Sequence, residues 1–410
     1  MAKKLKCVIF GLTDVIVTDG KRSEVIYKQI GLLIRFLLSK GILPIFFGNV
    51  QWVITIDGIK HDLQEIITKD WGEFPWFIAQ RDHIPGKPSK DSTEYILNKY
   101  NFDTSEVVYV GNTERDMRTA VNGNLLFLNA NWFNKSIDYG FCFDSPLDIA
   151  RFIDTFCLRE SLWHYIIEEN NLRYYALSPF STYFKEFEFL SSDARNAKFG
   201  YGHVDFWMKY LISTIYFSEI HKEIDYIAVV PGSGQGSGNK VMEDVMTIFA
   251  KCFRIHYLSD LILRHTSIEK SHILRNRGEQ VNHIRQFNSI VLNKFPLKNP
   301  GVPYIHCPLK REKCVLLIDD ICTNGYSLET AKIFINQTGA DVISMTWLKT
   351  VNRGYIQILD PLKFDPFSSI TIDQIDQVRE FDYHQYINDN TAPEELTRKL
   401  KAYDDWKWPV

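Results

Sequence analysis

The string Val315-Leu-Leu-Ile-Asp-Asp-Ile-Cys-Thr-Asn-Gly-Tyr-Ser327 sets two adjacent carboxylates, Asp319 and Asp320, at the end of an apolar run and follows them with a short polar turn. An apolar run of that length reads as a buried parallel strand, and the C-terminal ends of such strands are where open α/β sheets bind ligands. Gly325 permits a tight turn, Thr323 and Ser327 supply hydroxyls, and Asn324 and Tyr326 complete a loop leading into a helix. Backbone N–H groups converging at a helix N-terminus form a phosphate cradle. Two acids beside a phosphate repel it unless they have other partners. Vicinal sugar hydroxyls, or a Mg2+ ion shared by ribose and pyrophosphate, are partners of that kind. The plainer alternative is a strand end whose acids cap the next turn.

About 85 residues upstream, Pro231-Gly-Ser-Gly-Gln-Gly-Ser-Gly-Asn239 lies between the apolar run Tyr226–Val230 and a helical pattern over Lys240–Cys252. Four glycines in nine residues cost conformational entropy unless the backbone has to approach a ligand closely. Gly232, Ser233, Gly234, Gln235 and Gly236 are the candidates for main-chain contacts, with Lys240 as a counter-charge. The Walker pattern GxxxxGK[ST] is absent. Between the two strings, Leu263–Lys294 carries Arg264, Lys270, Arg275, Arg277, Arg285 and Lys294 against only Glu269 and Glu279. Such a loop suits a ligand with several phosphate charges, and equally suits a solvated basic face.

Taken together these strings resemble the type I phosphoribosyltransferases over about residues 170–350, and the basic segment resembles the mobile loop of their competence-protein (ComF) branch. Leu190–Tyr210 is a weaker echo, with Lys198 and Tyr201 ahead of the helix that leads into the first strand. Asn324 stands where a second Thr is usual. Tyr326 stands where a small residue is usual, which would narrow or cover the site. The resemblance implies a substrate, 5-phosphoribosyl-1-diphosphate (PRPP), and the cofactor Mg2+. It implies that Asp319 and Asp320 hold the ribose hydroxyls and meet the metal indirectly, and that Thr323–Ser327 grip the 5-phosphate. Gly232–Gly236 would then hold pyrophosphate, and Arg264, Lys270, Arg275 and Arg277 would ride on a lid.

The first 150 residues resemble a haloacid-dehalogenase-type (HAD) phosphohydrolase domain that lacks its nucleophile. That family carries Asp-x-Asp-x-Thr after its first strand, whereas Phe10-Gly11-Leu12-Thr13-Asp14-Val15 puts Gly11 and Thr13 at the two acid positions. Gly48-Asn49 replaces the usual Ser or Thr, and Asn112 replaces the first acid of the metal-binding strand end. Gly86-Lys87-Pro88 and Asp116 match the family's phosphate-neutralising lysine and last acid. Without the nucleophile no phospho-aspartyl intermediate can form. Lys87 and Asp116 would be a residual anion pocket or, more plainly, an ordinary salt bridge. The spacings, 37 residues from Gly11 to Gly48 and 39 from there to Lys87, leave no room for a large cap domain.

The elements that must position these residues alternate. Strands are expected at Lys6–Phe10, Ile42–Phe47, Val107–Val110 and Leu125–Asn129, with helices at Ser23–Lys40, Asp91–Tyr100 and Glu114–Val121. An aromatic-rich helical stretch from about Ala150 to Ser218 opens the second half. Then come the strands and helices of a second unit, ending with Leu328–Gln337 and Asp341–Leu348. The expectation is therefore α/β, with two domains of mainly parallel sheet: 1–150, 151–350, and a C-terminal extension 351–410 with no motif. Forty-seven Lys plus Arg against 50 Asp plus Glu give no global basic field, so a general nucleic-acid coat is not indicated. Seven scattered Cys without a CxxC pair argue against a zinc site and a disulfide framework. No run approaches the ~18 apolar residues of a membrane span, and the chain reads as cytoplasmic.

Three functions are compatible with this reading. The first is a phosphoribosyltransferase whose acceptor is not legible. The second is a sensor of PRPP or a nucleotide, which calls for a protein partner or a second copy of the chain to receive the signal. The third, an effector acting on nucleotides or nucleic acids in stress or phage defence, rests on the pairing of modules and on no particular residue.

Overall fold

The computed structural model describes residues 4–409 apart from 170, 236–239, 270–272, 275–276, 280, 299–300 and 360–362. The fold is α/β, built on two six-stranded sheets. The first contains β1 (Cys7–Phe10), β2 (Leu43–Gly48), β3 (Trp76–Ile78), β4 (Val107–Gly111), β5 (Leu126–Ala130) and β6 (Phe141–Phe143), in the order β3-β2-β1-β4-β5-β6 with every pair parallel. Its central strands are continuous apolar runs because helices cover both faces. α1 (Glu24–Ser39) buries Ile30, Leu33, Ile34 and Leu37, one stripe at helical spacing. α2 (Lys90–Tyr100) starts on the Ser89 side chain, and α3 (Glu114–Asn122) on a reciprocal cap between Thr113 and Asp116.

The second sheet contains β7 (Tyr165–Glu169), β8 (Leu172–Phe180), β9 (Tyr226–Val229), β10 (His256–Tyr257), β11 (Cys314–Cys322) and β12 (Asp341–Thr350). The order is β10-β9-β11-β12-β8-β7, parallel except for the edge strand β7. Here the sequence expectation of a helical stretch over 150–218 needs correction. Only part of it is helical, and Tyr165–Phe180 is a β-hairpin. Alternating Tyr, Ile, Leu and Ala bury one face of that hairpin against the sheet. Asn171 holds the turn in the left-handed region at φ 60°, a conformation Asn tolerates. α4 (Lys185–Lys198) and α5 (Val204–Phe217) then lead from β8 to β9, and α6 (Lys240–Phe253) from β9 to β10.

From β9 the chain winds outward to β10, and from β11 it winds the other way to β12, so the switch point lies between β9 and β11. Pairing of β9 with β11 ends at Val229 and Ile318, whereas β11 and β12 stay paired to Cys322 and Lys349. The crevice therefore opens beside Asp319 and Asp320.

The two sheets share one apolar core cluster, joining residues such as Phe36 and Leu37 to Phe156, Phe206 and Tyr216. Tyr216 donates its buried hydroxyl to the carbonyls of Thr104 and Val107, at 2.5 and 2.6 Å. The segment after residue 350 packs back on both halves. Strand Tyr355–Ile358 pairs with Val378–Phe381, Trp406 meets the Phe36 ring edge-on at 5.8 Å, and helix Ala392–Ala402 packs on α4. Among the described residues no helix is long and apolar enough to cross a membrane.

Candidate functional site

Asp319 and Asp320 are half-buried at the crevice. Asp319 Oδ1 accepts from the Asp320 amide at 2.8 Å, and the Lys198 ammonium, at the end of α4, ion-pairs with Asp320. Burial, then the adjacent Asp320 carboxylate, push the Asp319 carboxyl well above its ordinary range, against the pull of Lys198 and Arg264. One acid is thus neutralised by a lysine and the other holds its proton readily, which removes the repulsion that two bare carboxylates would exert on a phosphate. Lys198, singled out in the sequence, thus lies beside Asp320. Tyr201 is three residues on and 71% exposed.

The turn Thr323–Ser327 runs into α7 (Tyr326–Asn336), whose N-cap is Gly325 at φ 82°. No side chain caps that helix, and a helix N-terminus offers backbone N–H groups to an anion. Asn324 is tied down on both ends: its carbonyl accepts from Ile356 N at 2.9 Å and its amide reaches Gly354 O at 3.4 Å. Thr323 Oγ1 lies 3.2 Å from Thr350 Oγ1. Tyr326 meets the His283 ring edge-on at 4.6 Å, and Ser327 is half-buried beside it. A Cβ on Gly325 would stand 2.5 Å from the Tyr355 ring. Gly325→Ala is accordingly expected to lower the stability by about 2–4 kcal/mol in urea melts, combining left-handed strain with overpacking.

Beneath the turn is a residue that sequence reasoning missed. Lys349, at the end of β12, is 0% exposed, and its ammonium donates to Thr323 O at 2.6 Å, to Gly354 O at 3.3 Å and to Arg353 O. It lies over the Tyr165 and Tyr383 rings, 5.5 and 5.9 Å from their centroids. Burial pushes its pKa down to about 8. The available signal was a lysine directly after the mainly apolar run Val342–Leu348.

In the glycine-rich loop the Ser233 carbonyl accepts from Ile268 N and the Gln235 amide donates to Ser267 Oγ, both at 2.9 Å. The basic segment is therefore docked on the loop. Gly232 and Gln235 are exposed, Gly234 is half-buried, and Lys240 is exposed at the start of α6. Gly236, Lys270 and Arg275 lie outside the described residues. Arg264 departs from the expectation that it contacts substrate. Strands Ile262–Arg264 and Ile290–Leu292 pair antiparallel and turn its side chain inward, leaving it 5% exposed. Its guanidinium donates to the carbonyls of Pro231 and Gly232, to Ser289 Oγ and to Gln286 Oε1. It holds the carbonyls of the loop, close enough to Asp319 for its charge to favour that carboxylate. Arg277 is exposed and ion-paired with Glu269 and Glu279.

In the first sheet, Lys87 and Asp116 form a buried ion pair of 2.6 Å with side chains 6% and 2% exposed. Asp116 also accepts from Tyr109 Oη at 2.9 Å and Thr113 Oγ1 at 2.7 Å. Burial, then the nearby Asp116 charge, raises the Tyr109 phenol well above its ordinary range. A Cβ on Gly11 would lie 2.8 Å from Asp116 Oδ1, and one on Gly48 would lie 2.9 Å from Leu12 Cδ1. The space for a nucleophile at position 11 is thus filled by Asp116, and the space for a hydroxyl side chain at position 48 by Leu12. The Asn112 amide donates to Ala130 O and to Asn134 O. The residual anion pocket expected at Lys87 is closed by its own acid. Among the described residues no three His, Cys, Asp or Glu side chains converge on a metal site.

No protein-family model matches the chain, and no curated protein matches it. Solved structures align with about a third of it. The core domain of a protein provisionally assigned as a phosphoglycolate phosphatase from Streptococcus pneumoniae TIGR4 is 15% identical, with 38% of this chain and 99% of that one covered and a TM-score of 0.27. A HAD-superfamily hydrolase, subfamily IA, variant 1, from Geobacter sulfurreducens PCA is 11% identical, covering 35% and 97% with a TM-score of 0.27.

Proposed function

We propose that the chain binds a 5-phosphoribosyl ligand, PRPP or a nucleotide, at the crevice between β9 and β11, as a Mg2+-dependent phosphoribosyltransferase. One arrangement supports this above all: two adjacent acids at a switch point, followed five residues after Asp320 by a helix N-cap, Gly325, that no side chain caps. The acids suit ribose hydroxyls and the uncapped amides suit the 5-phosphate. The glycine-rich loop suits pyrophosphate, and Arg264 holds its carbonyls. The donor set also suits Mg2+ met indirectly, since carboxylate oxygens are the partners that this ion and its bound waters take. Mg2+ would neutralise the departing pyrophosphate. The protein's own work is positioning: the acids orient the ribose and steady positive charge developing at C1, and the docked basic segment excludes water. An acceptor then bonds to C1 as the C1–O bond breaks and pyrophosphate leaves with the electron pair.

The N-terminal unit is, in this proposal, a HAD-like scaffold without phosphatase chemistry. The closed Lys87–Asp116 pair supports that reading. It also favours a second one, in which the whole chain is a sensor and the crevice binds without turnover. Hydrogen exchange and a pyrophosphate-release assay separate the two. With PRPP and Mg2+, the amides over 264–285 are expected to gain at least about ten-fold protection, with pyrophosphate released once an acceptor is present. Protection confined to Asp319–Ser327, without pyrophosphate release, would establish the sensor.

A further inference from the structure

The proposed phosphate turn contains no cation of its own: Thr323, Asn324, Gly325, Tyr326 and Ser327 are all neutral. The nearest fixed positive charge that the turn touches is underneath it. Lys349 is wholly buried, and its ammonium is bonded to three backbone carbonyls with no carboxylate in an ion pair with it among the described residues. A buried ammonium without a counter-ion is costly, and stability alone would favour an apolar side chain of similar length at the end of a buried strand. The charge therefore calls for another explanation, and its partners suggest one. Thr323 O belongs to the turn, while Arg353 O and Gly354 O belong to the segment that carries Tyr355 and Ile356, which brace Gly325 and Asn324. The ammonium thus fixes the Thr323 carbonyl on its own side of the turn. It also adds a full charge to the partial ones of the turn's amides in a water-poor setting, where a charge acts strongly on an anion.

We propose that Lys349 is the counter-charge of the phosphate turn, a positioning residue that acts on a bound phosphate from beneath through Thr323. The proposal rests on the phosphoribosyl reading above. Its distinguishing property is that anion affinity depends on the lysine's protonation, which a purely structural lysine would not impose. The groups that face Lys349 are the Cys322 thiol on β11, Tyr165 on β7, Tyr383 on the turn after residue 382, Arg353, and Glu380 on the paired strand. The Cys322, Tyr165 and Tyr383 groups are all pushed upward by burial and titrate above the lysine. Asp319 titrates in the same range and has to be removed from the measurement.

The test uses the full chain and two probes, ribose 5-phosphate and inorganic sulfate, whose charge is constant above neutral pH. Calorimetry on the Asp319→Asn protein is expected to show sulfate affinity falling about ten-fold from pH 7 to pH 9.5, because an anion that favours the protonated lysine loses affinity as the lysine discharges. Adding Lys349→Met should lower ribose 5-phosphate affinity about ten- to a hundred-fold at pH 7 and abolish the slope. A flat sulfate profile in Asp319→Asn overturns the proposal, whether or not the methionine variant folds, and so does a slope that survives Lys349→Met. If ribose 5-phosphate binds the wild type while the profile is flat, the phosphoribosyl reading stands and only the role of Lys349 falls. If neither probe nor PRPP binds the wild type, both fall together.

Discussion

The Asp319→Asn/Asp320→Asn protein is expected to bind PRPP at least about a hundred-fold more weakly than the wild type and to be no less stable. With both acids ionised in the complex, each accepts from a ribose hydroxyl a charge-assisted hydrogen bond worth about 1.5–3 kcal/mol, so losing two exceeds a factor of a hundred. Stability should move the other way. Burial and the adjacent Asp320 hold the folded Asp319 carboxyl well above its ordinary value, which is about 4 in the unfolded chain. Between these values the folded protein holds more protons than the unfolded chain, so the wild type loses stability as pH rises through the window. Asparagine has no such titration. The thermal midpoint of the variant should therefore gain on the wild type from pH 5 to pH 8. Titration calorimetry with PRPP and melts at three pH values check both halves. Undiminished PRPP affinity would remove the acids from the site.

Gly11→Asp, which restores the residue a HAD phosphatase would use, is expected to destabilise the fold by about 3–5 kcal/mol and to yield no phosphatase activity with or without Mg2+. The new Cβ would lie 2.8 Å from Asp116 Oδ1, closer than packing allows. The added carboxylate would also compete for Lys87, a buried ammonium already bonded to Asp116 at 2.6 Å. Burying a second acid against one lysine costs desolvation without a partner. Urea melts and hydrolysis of p-nitrophenyl phosphate are the measurements. Turnover in the variant would mean that the pocket opens and that Asp116 is not its plug.

Much of this was legible in the amino-acid order because the decisive features are local. An apolar run, two acids, a glycine and a hydroxyl turn lie within thirteen consecutive residues, and their strand, turn and helix form as periodicity and turn chemistry dictate. The alternation of strands and helices likewise announced two mainly parallel sheets. What only the tertiary structure decided are contacts between residues far apart in the chain. Lys198 meets Asp320 across 122 positions, and Lys349 reaches Thr323 from the neighbouring strand. Arg264 looked like a lid cation, yet a hairpin pairing points it inward to the glycine loop. Asp116 looked like a metal ligand, yet it pairs with Lys87 and lies against Gly11 and Gly111, where Cβ atoms would collide with it. The hairpin Tyr165–Phe180 was missed because its aromatic and aliphatic run fits a buried helix as well as an edge strand, and only pairing with β12 settles the choice. In each case the residue type was visible in the sequence, but the direction of its side chain depends on which elements pack against it.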